Sequence, residues 1–252
     1  VKFAVIIPAR FGSTRLPGKP LKDIVGKPMI QHVYERALES GAERVIVATD
    51  DEKIEKAVKE FGGESCLTSD KHHSGTDRIT EVADTLQLGD EEIVVNLQGD
   101  EPLMPSSVVR QVAESLANNA NASMSTLCTP ITTAAELFDP HTVKVVRDEN
   151  DMAVYFSRAS IPWDRDAFAS TTEELPEKSI HYRHIGLYAY RAGFLRQYIQ
   201  WPPCDMEKME SLEQLRPIWH GHRIHVTEAL EIPLVGVDTE RDLEIVRAYL
   251  AQ

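Results

Sequence analysis

Four stretches of the chain are apolar without interruption: Phe3–Ile7, Val45–Ala48, Ile93–Leu97 and, more weakly, Met124–Cys128. Short runs without polar alternation predict strands buried on both faces, as in a parallel sheet. Between them the apolar positions recur at helical spacing. Met29–Ser40 opens behind Pro28 and stops at Gly41, while Glu52–Phe61 puts Ile54, Val58 and Phe61 on one stripe and stops at Gly62. Thr76–Leu86 carries Ile79, Val82, Ala83 and Leu86, and Ser106–Leu116 follows Pro105 and carries Val108, Val109, Val112 and Leu116. Proline at the entry and glycine at the exit support these boundaries. Strand–helix alternation over roughly the first 120 residues predicts right-handed βαβ units and a mostly parallel sheet with helices on both faces.

From Val143 the pattern changes. Val143–Arg147, Met152–Phe156 and Ile185–Tyr190 predict strands, but Asp164–Glu177 between them is polar and irregular. Residues 150–200 are therefore expected to form an inserted lobe within a single domain over 1–252. Pro233–Val237 predicts a strand returning to the main layer, and Thr239–Ala251 a closing helix. Thr239 with Asp242 has the form of a capping box with a shorter acid than usual. The chain has no internal repeat and no linker-like stretch.

The 252 residues are 42% apolar and 27% charged, which is globular composition with enough length for a large core without crosslinks. A net charge of −13 argues against a nucleic-acid backbone as the main partner. That charge is unevenly spread: residues 1–28 hold six cations and one acid, leaving them at +5 and the rest at −18. A basic island on an acidic body marks a local anion site. The plain alternative is a solvated loop, and the glycines and prolines of the stretch weigh against it because they shape backbone. Cys66, Cys128 and Cys204 lie far apart with no CxxC, so a reducing compartment is expected. The opening apolar run is too short for a signal sequence, and no stretch is long enough to span a bilayer. A soluble, cytoplasmic protein with no membrane partner is the expectation.

The first strand runs into Pro8-Ala-Arg-Phe-Gly-Ser-Thr-Arg-Leu-Pro-Gly-Lys-Pro20. Ligands of open α/β sheets bind beyond the carboxyl ends of strands, so this loop sits where a ligand would. It is not GxGxxG, which excludes a Rossmann dehydrogenase. It is not a P-loop either, because five residues separate Gly12 from Gly18 and Lys19 is followed by proline. The physics is nevertheless that of a phosphate site. Gly12 and Gly18 permit close backbone approach, Ser13 and Thr14 can donate, and Arg10, Arg15 and Lys19 supply charge.

PARFGSTRLPGKPL resembles the opening signature of the sugar-activating cytidylyltransferases, and the whole chain resembles their 3-deoxy-manno-octulosonate (KDO) branch. VIVATDD (45–51), HHSGTDR (72–78), VVNLQGDEP (94–102), VKVV (143–146), YFSRASIPWDRD (155–166), RHIGLYAYR (183–191), SLEQLR (211–216) and GVDTERDL (236–243) recur in order. The resemblance implies a three-layer, mostly parallel Rossmann-like sheet of the nucleotide-diphospho-sugar transferase type. It implies transfer of CMP from CTP to KDO with release of pyrophosphate, a magnesium cofactor, a homodimer, and supply of a lipopolysaccharide precursor.

Asp100 and Asp238 each follow a predicted strand and are expected on the edge that bears the basic loop. Two carboxylates facing a triphosphate suit magnesium, which takes few protein oxygens and completes its shell from phosphate and water. Position alone also allows a helix cap for Asp238 and a turn acid for Asp100; the resemblance assigns both to the metal. It further implies a nucleotide site of Ala9, Arg10, Gly12, Ser13, Thr14, Arg15, Lys19, Ser74, Gly75, Thr76, Arg78 and Gln98, with Arg78 and the 74–76 backbone reading the cytosine. Ser74 or Thr76 reads equally as a helix cap, and Asp50 and Asp51 as an N-cap. For the acidic sugar it implies Gln98, Arg158, His184, Tyr188, Glu213 and Gln214. Arg158 reads equally as a paired lobe residue and Glu213–Gln214 as an exposed turn. His220, His222 and His225 cannot share one strand face, so no zinc site is expected there. Trp163, Phe168 and Tyr182 are expected to be exposed on the lobe. Two rival readings are a cytidylyltransferase for another sugar, such as a sialic acid, and a non-catalytic CTP-binding module.

Overall fold

The computed structural model describes residues 1–12, 15–72, 74–234 and 236–251. Its strands are β1 (Phe3–Ala9), β2 (Asp23–Ile24), β3 (Lys27–Pro28), β4 (Arg44–Thr49), β5 (Glu64–Leu67), β6 (Ile93–Asn96), β7 (Met124–Pro130), β8 (Lys144–Arg147), β9 (Ala153–Ser157), β10 (Tyr182–Arg191) and β11 (Ile224–Glu228). The main helices are α1 (Met29–Glu39), α2 (Glu52–Glu60), α3 (Gly75–Thr85) and α4 (Ser106–Ala117). The shorter α5 (Ala134–Phe138), α6 (Arg165–Phe168), α7 (Ala192–Tyr198), α8 (Asp205–Glu210) and α9 (Leu215–Trp219) follow, and α10 (Glu240–Leu250) closes the chain.

One nine-stranded sheet runs β11-β7-β10-β6-β1-β4-β5. Strands β4 and β6 lie parallel to β1, β5 to β4, and β11 to β7, while β10 alone on this path is antiparallel, wedged between β6 and β7. Alternate residues of each strand feed two cores. Val5, Ile7, Val47 and Val95 pack under α1, α2 and α4, and Ile6, Ile46, Ala48 and Val94 pack under α3 and α7. Burial on both faces is why these strands read as unbroken apolar runs. The mostly parallel α/β sheet is as expected.

One expected element differs. No strand forms in the described residues of 233–237; Val237 is buried there by contact with α10 and tied by one backbone bond, Val237 N to Asp100 O at 2.8 Å. The strand beside β7 is instead Ile224–Glu228, whose histidine and threonine obscure its apolar alternation. In the lobe, β8 and β9 extend the same sheet, with β8 pairing Tyr182 and Arg183 of β10. Phe168 is buried against Phe138 and His181, and Tyr182 lies beneath the Arg147 guanidinium at 4.4 Å; of the three expected exposed rings only Trp163 is open, at 57%.

Helix α10 matters for the site although it lies outside the sheet. Leu243 and Val246 pack on Leu16, Ile24 and Met29, and Arg247 donates to Asp23 O at 2.7 and 2.9 Å. The Thr239–Asp242 capping box starts it, and Asp238 N donates to Asp242 Oδ2 at 3.1 Å. These contacts fix Asp238 opposite the basic loop.

Candidate active site

The carboxyl ends of β1 and β6 are adjacent in the sheet, so the loops that follow them share one edge. They approach closely: a Cβ on Gly99 would stand 2.9 Å from Pro8 O, so only glycine fits there. The basic loop turns at Gly18, whose φ of +66° favours glycine, and drops into a short 3-10 turn at Lys19–Leu21. Lys19 thereby reaches under the rim. Its Nζ donates to Asp100 Oδ2 at 2.7 Å, Val237 O at 2.9 Å and Asp238 Oδ1 at 3.3 Å. Arg15 meets Asp238 from the solvent side at 3.1 Å. The two acids therefore converge on one point, and a lysine ammonium stands at it.

A cavity of about 310 Å³ opens over this group, lined by Ala9, Arg10, Gly12, Arg15, Lys19, Asp100 and Asp238. A second, of about 350 Å³, adjoins it; Arg10 and Gln98 line both. Its walls are the start of α3 (Ser74, Gly75, Thr76), the face of β10 (Tyr188, Tyr190) and the 211–217 segment with Glu213 and Gln214. Ser74 is the N-cap of α3, bonded reciprocally with Asp77, and also borders the cavity; the capping and binding readings are compatible. Thr76 Oγ1 donates to Glu213 Oε2 at 3.3 Å, joining the α3 wall to the 211–217 wall.

Electrostatics separate the two halves. In the basic half, burial and then the Asp100 and Asp238 charges push Glu101 up to about 8, so this third acid is neutral at pH 7. Burial pushes Glu213 up as well, opposed by its bond from Thr76 and by Arg216. It pushes Tyr188 and Tyr190 up and His184 down to about 3, so the tyrosines stay protonated and the imidazole uncharged. The second cavity therefore offers hydroxyl, amide and carboxyl groups, and Arg10 at the junction is its cation.

Most expected residues meet at these two cavities, with three departures. The Arg78 side chain is fully buried and lines neither cavity; Nη2 donates to Asp50 Oδ2 at 2.6 Å and Nη1 to Thr68 Oγ1, while Nε has no partner among the described residues. Asp51, not Asp50, caps α2. Arg158 donates to Glu210 O at 2.7 Å and Pro140 O at 3.1 Å and lines neither cavity. His184 lines neither cavity, its Nε2 3.0 Å from Thr126 Oγ1 and its ring 5.4 Å from that of Tyr188. Ser13 and Thr14 lie outside the described residues. His220 stacks on Trp201, while His222 and His225 pair with Ser123 and Ser115. Sequence reasoning missed Glu101, Asn96, Tyr190 and Tyr198. The two tyrosines line the second cavity, but their sequence signal is that of packing residues.

Two carboxylates directed at one point fit a divalent ion that completes its shell from phosphate and water. No cluster of three or more His, Cys, Asp or Glu side chains able to hold a metal is found among the described residues, so Asp100 and Asp238 are the candidate pair.

Comparison with known proteins gives this geometry a context. The chain is 56% identical over 251 residues to 3-deoxy-manno-octulosonate cytidylyltransferase 2 of Actinobacillus pleuropneumoniae serotype 5b, covering 100% of this chain and 99% of that one. It is 58% identical over 250 residues to the 3-deoxy-manno-octulosonate cytidylyltransferase of Photobacterium profundum, covering 99% and 100%. A solved structure of CMP:2-keto-3-deoxy-manno-octonic acid synthetase complexed with CTP superposes with a TM-score of 0.91 at 47% identity, covering 100% of this chain and 99% of that one. The cytidylyltransferase family model matches residues 4–224, from the strand that launches the basic loop to the edge strand of the sheet. On sequence, fold and the two-part cleft together, the chain belongs to the cytidylyltransferase family.

Proposed function

We propose that the protein transfers the cytidylyl group of CTP to the anomeric hydroxyl of KDO, giving CMP-KDO and pyrophosphate. The observation that carries this reading is the pair of adjoining cavities that share Arg10 and Gln98. One presents fixed cations opposite converging acids, as a triphosphate tail needs; the other presents groups that pair with sugar hydroxyls. The relatives named above favour KDO over another sugar and over a non-catalytic module.

In the reaction the anomeric hydroxyl gives its proton to solvent as its oxygen forms a bond to the α-phosphorus, the bond from that phosphorus to the bridging oxygen breaks, and the electron pair leaves with pyrophosphate. Little covalent work falls to the protein, so the rate must come from positioning and from charges preset for the transition state. Arg10, at the junction, faces the α-phosphate and the carboxylate of the incoming sugar. Lys19 and Arg15 are the cations for the departing pyrophosphate. Gly75 and Thr76, with Gln98, bound the cytosine and ribose, and Tyr188, Glu213 and Gln214 bound the sugar hydroxyls. Asp100 and Asp238 would hold magnesium, which supplies positive charge to phosphoryl oxygens and lowers the pKa of a bound hydroxyl. The neutral His184 braces Tyr188 and bears no charge for the sugar acid.

The wider reading is of a cytoplasmic homodimer feeding lipopolysaccharide assembly. Free Cys66, Cys128 and Cys204 suit a reducing compartment, and no helix among the described residues is long and apolar enough to cross a membrane. Trp163 and Ile180, 57% and 65% exposed on the lobe, are the candidate contact between copies, which sedimentation of Trp163→Ala would test. The activity itself is tested by pyrophosphate release over four nucleoside triphosphates and several sugar acids, with and without magnesium. Release confined to CTP, KDO and magnesium is expected; equal release with a sialic acid or with no added metal would overturn the assignment.

A further inference from the structure

The wall that carries Glu213 and Gln214 has little regular structure of its own. It consists of the one-and-a-half-turn α8, Ser211 at a φ of +53°, and the five-residue α9. Such short helices have little intrinsic stability, so something outside their backbone must hold them. Beneath the wall lies a buried ion pair that lines neither cavity. Arg216 donates from Nε to Glu207 Oε2 at 2.7 Å and from Nη2 to Glu207 Oε1 at 2.5 Å, while Nη1 donates to Trp201 O at 3.2 Å. The guanidinium lies 4.4 Å from the ring centroid of Tyr198, whose hydroxyl donates to Glu213 O at 3.4 Å. The same Glu207 carboxylate accepts from Cys204 N at 3.3 Å and so caps α8. One carboxylate and one guanidinium thus join the start of α8, the start of α9, the Trp201 turn and a tyrosine of the cavity.

We infer that Glu207 and Arg216 are positioning residues for the acceptor: their two-point bond sets the height and angle at which Glu213 and Gln214 face the sugar, without touching it. This rests on the acceptor half of the cleft being the KDO site, as proposed above. A two-point bond fixes rotation as well as distance, which a lysine at the same place cannot do. The nucleotide is held by the basic loop and by the start of α3, which meets this wall at the Thr76–Glu213 bond, so the pair should act on the sugar far more than on the nucleotide.

The test uses Arg216→Lys and Glu207→Gln in the full chain, with KM for KDO, KM for CTP, kcat and thermal midpoint measured for each. A rise of tenfold or more in KM for KDO is expected, with KM for CTP within about twofold and kcat at saturating KDO within about threefold. A purely structural role would lower the thermal midpoint and the active fraction while leaving both KM values alone, and that result would overturn the inference. So would equal rises in the two KM values, or unfolding of both variants, since the pair would then hold the whole chain and not this wall. If the wild-type protein does not turn over KDO at all, the reading of the function fails, independently of either variant.

Discussion

Lys19→Met keeps the side-chain stem and deletes one positive charge at the point where the site's two acids converge. The side chain is only 14% exposed, and its ammonium makes three contacts between 2.7 and 3.3 Å. Two effects follow and they are separable. Without nucleotide or metal, the variant loses charge-assisted bonds to Asp100 and Asp238 and leaves those carboxylates facing each other. A buried or half-buried bond of that kind is worth about 1.5–3 kcal/mol, so stability should fall by about that amount. On the proposed function the lost charge is one preset contact to the phosphoryl group, worth about 10²–10³ in turnover, or about 2.7–4 kcal/mol. Turnover is read as pyrophosphate release at saturating CTP and KDO, and stability by thermal melts with and without magnesium. Magnesium should recover more stability in the variant than in the wild type, because in the variant no ammonium competes for the two carboxylates. Near-wild-type turnover would remove Lys19 from the phosphate site. Equal magnesium stabilisation of both proteins would show that the lysine does not stand in the metal's place.

Three further outcomes are expected. Asp100→Ala should abolish magnesium-dependent pyrophosphate release, and full activity in that variant with magnesium present would refute its role as a ligand. Arg78→Met strips a buried partner from Asp50 and should cost about 3–5 kcal/mol in urea unfolding, with KM for CTP little changed in the molecules that fold; unchanged stability with a raised KM for CTP would restore the base-reading role. His184→Gln should flatten the acid side of the stability profile. Burial lowers the folded pKa to about 3 from an ordinary 6.5, so the unfolded chain takes up the proton first as pH falls. The wild-type stabilisation is therefore complete above pH 6.5 and is lost progressively towards pH 3, while the variant lacks that loss. Identical acid limbs in the two proteins would rule the histidine out.

The sequence determined most of the scaffold and half of the cleft. Strands buried on both faces must be apolar at every position, so β1, β4 and β6 are visible as runs. Helices start and stop at residues with fixed backbone chemistry, so α1 to α4 and α10 are legible from prolines, glycines and caps. The basic loop is visible because six cations within 28 residues stand out against an acidic chain. Local rules reach no further. Apolarity alone predicts a strand at Pro233–Val237, since burial by α10 and burial in a sheet leave the same mark; the tie of Val237 to the sheet edge is a single bond to Asp100 O. Arg78 and Arg158 carry the charge expected of ligands, and only the fold decides which groups a guanidinium meets, here the half-buried Asp50 and backbone carbonyls. The convergence of Lys19, Asp100 and Asp238 joins residues 81 and 219 positions apart, and the Glu207–Arg216 fork acts through a wall with no strong periodicity. Charge, spacing and propensity are properties of neighbours along the chain; which groups share a low-dielectric cleft is fixed by how the layers pack.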